Sequence, residues 1–143
     1  MKKVMATGVF DIIHLGHIHY LEESKKQGDR LIVVIASDEN ARKNGKALLF
    51  SQETRRRVVE ALKPVDEAII GGTGNIFDTI SRVRPDVITL GFDQKFDPDV
   101  IIEESRKRGV NTEVYRCSLF ELETEEPLGT RKIRKKILEI DGK

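Results

Sequence analysis

Five short apolar runs, at residues 3–7, 31–36, 68–70, 87–90 and 113–116, recur along the chain with a helical pattern between each and the next. Most of the runs are continuous rather than alternating, as a strand reads when both faces of its sheet are covered. The helical patterns fall at 15–27, 52–62, 76–83 and 99–108, and Gly28, Lys63-Pro64, Pro85 and Gly109 punctuate their ends. Ser51 offers a capping hydroxyl to the second of these helices, with Glu53 in its first turn, and Asn75 offers the same to the third. Strands that alternate with helices over short connections pair in parallel. The expected fold is therefore a single Rossmann-like, doubly wound α/β domain with a five-stranded parallel sheet over residues 1–143, with a C-terminal helical segment from about 129. Ligands of such a sheet lie beyond the carboxyl ends of its strands, which directs attention to the loops after Thr7, Ala36 and Leu90.

Several function classes lose support on composition. The 143 residues suit one domain, and 25 Lys and Arg nearly balance 24 Asp and Glu. Such a balance leaves no electrostatic footprint for nucleic acid or an acidic membrane, so neither is an expected partner and an anionic ligand must be held locally. The lone Cys117 excludes an intramolecular disulfide framework, and the apolar run before Asp11 is too short for a signal sequence or a membrane span, so the expected compartment is the cytoplasm.

The chemistry concentrates after the first strand, in Thr7-Gly8-Val9-Phe10-Asp11-Ile12-Ile13-His14-Leu15-Gly16-His17. A strand-to-helix loop presents free N–H groups and the positive end of a helix dipole, a natural seat for phosphate. The segment is neither G-x-G-x-x-G nor a Walker loop, which removes the main support for hydride transfer or P-loop hydrolysis. His14 and His17, three residues apart, fall on one side of the first helical turn, and Gly16 between them leaves room for a phosphate. Phosphoryl and nucleotidyl transfer require positioning and stabilisation of charge on phosphate oxygens, which two imidazoles and a helix terminus supply. The blander alternatives are two half-buried or surface histidines, or a metal pair. The latter needs further ligands, and His19 lies on a different face, read here as surface.

Gly-Val-Phe-Asp followed by His-Leu-Gly-His closely resembles the signature of the nucleotidyltransferase superfamily that includes glycerol-3-phosphate cytidylyltransferase and the archaeal FAD synthases. Similarity continues in Ala36-Ser37-Asp38-Glu39-Asn40, around Lys46, in Ser51-Gln52-Glu53-Thr54-Arg55-Arg56, in residues 61–66, and from Arg84-Pro85-Asp86 to Gln94. The resemblance implies that His14 and His17 stabilise the α-phosphate as pyrophosphate leaves, and that Lys46 contacts a phosphate or the acceptor. It further implies a nucleotide site formed by Val9, Phe10, Leu15, Gly16 and Asp93. Asp11 either orients the loop, assists a magnesium ion carried mainly by the triphosphate, or serves as a turn carboxylate. Arg55 is read first as a solvated residue of the second helix, with a place in the site as the alternative the resemblance implies, and Asp93 could equally be a turn former before Asp97-Pro98.

The tail departs from the cytidylyltransferase pattern. Val9 stands where Thr is usual, and Pro127-Leu128-Gly129-Thr130-Arg131-Lys132-Ile133 keeps only the outline of the segment that clamps the triphosphate. Thr130 and Arg131, at a helix start, retain a hydroxyl, a guanidinium and free N–H groups for phosphate, or else simply cap a basic helix. Residues 59–66 and Leu90-Gly91-Phe92-Asp93-Gln94 look more like archaeal FAD synthases, which transfer AMP from ATP to FMN. No Trp is present to stack on a flavin, leaving Phe92, Phe96, Tyr115 and Phe120 as candidates. The leading expectation is thus FMN adenylylation with ATP, a divalent cation such as Mg2+ and a homodimeric enzyme. The alternatives are a cytidylyltransferase using CTP and glycerol 3-phosphate or another sugar or alcohol phosphate, and a nucleotide-binding regulatory module without turnover.

Overall fold

The computed structural model describes residues 1–121 and 126–142. Its elements are β1 (Lys3–Gly8), α1 (Leu15–Lys25), β2 (Arg30–Ile35), α2 (Asp38–Lys43), α3 (Gln52–Glu60), β3 (Glu67–Ile70), α4 (Asp78–Val83), β4 (Val87–Leu90), α5 (Pro98–Lys107), β5 (Glu113–Arg116) and α6 (Thr130–Asp141). All five strands run parallel in the order β3-β2-β1-β4-β5, so the direction of winding reverses between β1 and β4.

Side-chain alternation along the strands builds the two halves of the core. Val4 and Ala6 of β1 face Tyr20, Leu21 and Val59 from α1 and α3. Met5, one residue out of phase, joins Ile80, Val83 and Ile101 from α4 and α5 on the opposite side. Both faces of the sheet are covered, which is why the central strands read as unbroken apolar runs. Among the described residues no helix is long and apolar enough to cross a membrane.

The middle of the sheet is not uniformly zipped. β1 pairs with β2 from Lys3↔Arg30 through Gly8↔Ile35, whereas its register with β4 covers only Val4↔Val87 and Met5↔Ile88. Beyond Met5 the two strands part, and the buried hydroxyl of Tyr20 fills the opening. It accepts from Thr7 N at 3.1 Å and donates to Thr89 O at 3.0 Å. Ser24, one turn further along α1, donates to Tyr20 O and lies 2.7 Å from Thr89 Oγ1, with the buried Cys117 thiol beside it at 3.8 Å. A polar spine thus takes the place of ladder bonds at the point where the crevice opens.

Several boundaries differ from the sequence expectation. The helix expected at 15–27 ends at Lys25, and Gly28 is required by packing rather than by capping: a Cβ there would lie 2.7 Å from Val4 Cγ2 and 2.8 Å from Lys2 O. The short α2 was not expected. Ser37 caps it, accepting from Asn40 N. Ser51 caps α3 as expected, accepting from Thr54 N, but α3 stops at Glu60. Asn75 does not cap α4; its side chain accepts from Phe77 N in a turn ahead of the helix, whose N-cap is Phe77 with no side-chain bond. The C-terminal helix appears at Thr130–Asp141, beginning after Gly129 at φ +106°.

Tyr20→Phe removes the acceptor of Thr7 N–H while keeping the ring, and is expected to lower stability to urea by about 1–2 kcal/mol. An unchanged unfolding midpoint would show that the spine contributes nothing.

Candidate active site

At the carboxyl end of β1 the chain turns into α1 through a cap made of two imidazoles. His14, extended at φ −142°, is the N-cap residue, and its Nδ1 accepts from Gly16 N at 3.1 Å. His17 Nδ1 accepts in return from His14 N at 3.2 Å. Serine and glutamate make this reciprocal arrangement in a usual capping box. Because both Nδ1 atoms accept from backbone N–H groups, each neutral ring must carry its proton on Nε2, so each presents an N–H donor away from the helix. The ring centroids are 3.9 Å apart. Burial lowers the pKa of His14, and burial together with the neighbouring His14 pushes His17 down to about 4. At neutral pH the pair therefore offers hydrogen-bond donors without net charge. Gly16 has a local reason beyond ligand access, since a Cβ there would meet His14 Cε1 at 2.9 Å.

The loop leading to this cap is held in a costly conformation. Phe10 has φ +53°, which for a residue other than glycine costs on the order of 1 kcal/mol and persists only under constraint. The constraint is its buried ring, which lies so close over Gly8 that a Cβ there would sit 2.6 Å from Phe10 Cε2. The same ring approaches His17 at 5.2 Å between centroids.

Arg55 is not solvated, contrary to the sequence expectation. Its side chain is fully buried, and its guanidinium donates to Phe50 O, Val9 O, Ala36 O and Asp38 Oδ1 at 3.1, 2.8, 2.9 and 2.8 Å. One planar fork thereby joins the β1 loop, the end of β2, α2 and the lead-in to α3. Asp11 is likewise committed: its two oxygens accept from Leu49 N at 2.7 Å and Phe50 N at 2.9 Å. Of its three expected roles these bonds match loop orientation, since the buried carboxylate ties the β1 loop to residues 49 and 50. Among the described residues no group of three or more His, Cys, Asp or Glu side chains could hold a metal ion.

The loop after β4 closes the other side of the crevice. Gln94 donates to Thr7 O at 3.3 Å and accepts from Gly91 N at 2.8 Å. Arg134 of α6 donates to Ala47 O at 2.5 Å and stands 3.7 Å from Asp11 Oδ2, which brings the start of α6 toward the same end of the sheet. The structure thus gathers Val9, Phe10, His14, Gly16 and His17 in one loop and cap, with Leu15 half exposed at the first helical position. Lys46, Asp93 and Arg131 are exposed, and among the described residues none reaches an imidazole by a hydrogen bond or ion pair; Thr130 is half-buried. His19 is not a plain surface residue: it is half-buried, 2.8 Å from Glu23 and 3.1 Å from Ser118 Oγ. Tyr20 and Gln94 had no role in the sequence reading. Nothing in residue type or spacing shows that one fills a gap in the sheet and the other ties two loops.

A family model described as cytidylyltransferase-like matches residues 5–136. A Thermoplasma acidophilum protein named FAD synthase is 50% identical over 142 residues, covering 99% of this chain and 98% of the relative. A Picrophilus torridus protein of the same name is 52% identical over 138 residues, covering 96% and 97%. A Thermoplasma volcanium crystal structure, described as a lipopolysaccharide core biosynthesis protein, superimposes with a TM-score of 0.82 at 50% identity over 85% of this chain and 99% of that one.

Three outcomes are expected from the site's geometry. Nitrogen-15 spectra at neutral pH should show both imidazoles as Nε2–H tautomers, with His17 neutral until the pH nears 4; an Nδ1–H tautomer would break the cap assignment. An unfolded histidine protonates near its ordinary value of 6.5, so stability should fall as pH drops from 6.5 to 4, by up to about 3 kcal/mol from His17. Arg55→Leu strands three carbonyls and Asp38, and should cost roughly 3 kcal/mol in denaturant unfolding, with Arg55→Lys recovering only part.

Proposed function

The chain belongs to the cytidylyltransferase-like family, and from that premise we propose that it is an FAD synthase, which transfers AMP from ATP to FMN and releases pyrophosphate. Two FAD synthases about half identical to this chain over nearly their full lengths support the substrates. The observation that carries the mechanism is the imidazole cap, with both Nε2–H groups turned outward from the start of a helix at the switch point of the sheet.

In this reading an oxygen of the FMN phosphate attacks the α-phosphorus of ATP and the bond to pyrophosphate breaks. His14 and His17 donate from Nε2 to the α-phosphate oxygens, whose charge grows in the transition state, and the α1 N-terminus adds its dipole. The low proton affinity of His17 suits a donor that stays neutral and does not compete as a base. A magnesium ion would enter with the triphosphate, held mainly by its oxygens. Val9, Phe10, Leu15 and Gly16 form the phosphate loop. Lys46, on the exposed segment anchored to Asp11, reaches a phosphate from one rim, Asp93 holds the nucleoside from the other, and Thr130 with Arg131 meets the departing pyrophosphate. Arg134, through Ala47 and Asp11, supports that placement of α6.

Purified protein given magnesium, ATP and FMN should release pyrophosphate and form FAD. Release with CTP and glycerol 3-phosphate instead would replace this reading with the cytidylyltransferase one. His14→Asn keeps a capping oxygen but loses the outward Nε2–H, so kcat should fall about 100- to 1,000-fold while KM for ATP moves within about threefold. A rise in KM with unchanged kcat would assign His14 to ground-state binding only.

A further inference from the structure

The reaction proposed above joins two ligands that each carry a planar heterocycle on a short linker to a phosphate. Both phosphates must meet at the imidazoles, so each ring has to find a surface within one linker's length of the loop. Resting on that reading, we propose that Phe92 and Phe50 are two stacking platforms on opposite rims of the histidine loop, each taking the ring of one substrate. Phe92 follows β4 and is 52% exposed; Phe50 precedes α3 and is 45% exposed. The strand order places β4 on one side of β1 and β2 on the other, and Arg55 ties the Phe50 segment to the end of β2 through Ala36 O.

Both aromatic residues sit on backbone that is held rather than loose. The Phe92 turn is closed by Gly91 N to Gln94 Oε1, and Arg116 donates to Gly91 O, Gln94 O and Phe96 O at 3.0, 2.8 and 3.0 Å. At Phe50 the N–H is fixed by Asp11 and the carbonyl by Arg55. An exposed ring on a fixed backbone loses little freedom when it stacks, which is what makes a platform effective. The other aromatic candidates are engaged elsewhere: Phe96 packs on the core, Phe120 stacks on His19, and Tyr115 donates to Glu23.

The test is calorimetric binding of magnesium-ATP alone and FMN alone to wild type, Phe92→Ala and Phe50→Ala, after wild type has been assayed for FAD formation. Each alanine variant should weaken one ligand about tenfold and leave the other unchanged, with the two variants affecting different ligands, and Phe→Trp at each position should restore binding. With Asp93 holding the nucleoside on the β4 rim, Phe92→Ala should weaken ATP and Phe50→Ala should weaken FMN, and the reverse pairing overturns that assignment. Unchanged binding in either variant, or loss of the same ligand in both, overturns the platforms while leaving the FAD synthase reading intact. Wild type that makes no FAD refutes the reading itself.

Discussion

The parting of β1 from β4 is the constraint on which the rest depends. A parallel sheet wound in two directions must have a place where neighbouring strands send their connections to opposite faces, and here the ladder gives out at that place after two registered pairs. The opened backbone groups would be costly if left bare, and the Tyr20 hydroxyl satisfies Thr7 N–H and Thr89 C=O from inside the core, with Ser24 and the Thr89 hydroxyl bonded beside it. Because α1 supplies Tyr20, the helix whose first turn carries the histidines is bolted to both parted strands. The distance from sheet to imidazoles is thereby set by buried hydrogen bonds rather than by a loop.

Above that spine, folding and chemistry share atoms. The Nδ1 faces of His14 and His17 finish the helix, which leaves each Nε2 as the ring nitrogen able to donate elsewhere. Arg55 plays the matching part beneath the loop: a buried cation with no ligand of its own that keeps Val9, Ala36, Asp38 and Phe50 in register with one another. Buried ion pairs add little to stability against an apolar alternative, but they penalise every arrangement that leaves the charge unpaired. In this loop the penalty fixes one geometry, including the left-handed Phe10.

The sheet and its helices were legible because covered parallel strands leave an unmistakable apolar run, and the His-x-Gly-His segment because its spacing matches one helical turn. Arg55 was misjudged for a physical reason. A charged residue on a helix is usually solvated, and its burial depends on the Val9 and Ala36 carbonyls, from two distant segments that sequence does not bring together. For Asp11 the sequence left several roles open, loop orientation among them, and only the fold reveals Leu49 and Phe50 delivering their N–H groups to it. Gly16 and Gly28 were noticed but partly misread, since their necessity lies in an approaching imidazole and an approaching strand.

Cys117 shows a last consequence. Its thiol is sealed beside Ser24, and burial pushes its pKa up to about 11, so at neutral pH it stays protonated. The thiolate is the form of sulfur most open to oxidation. A thiol kept protonated and covered by helix and sheet is a poor nucleophile, so alkylating or oxidising reagents reach it only when this part of the fold opens.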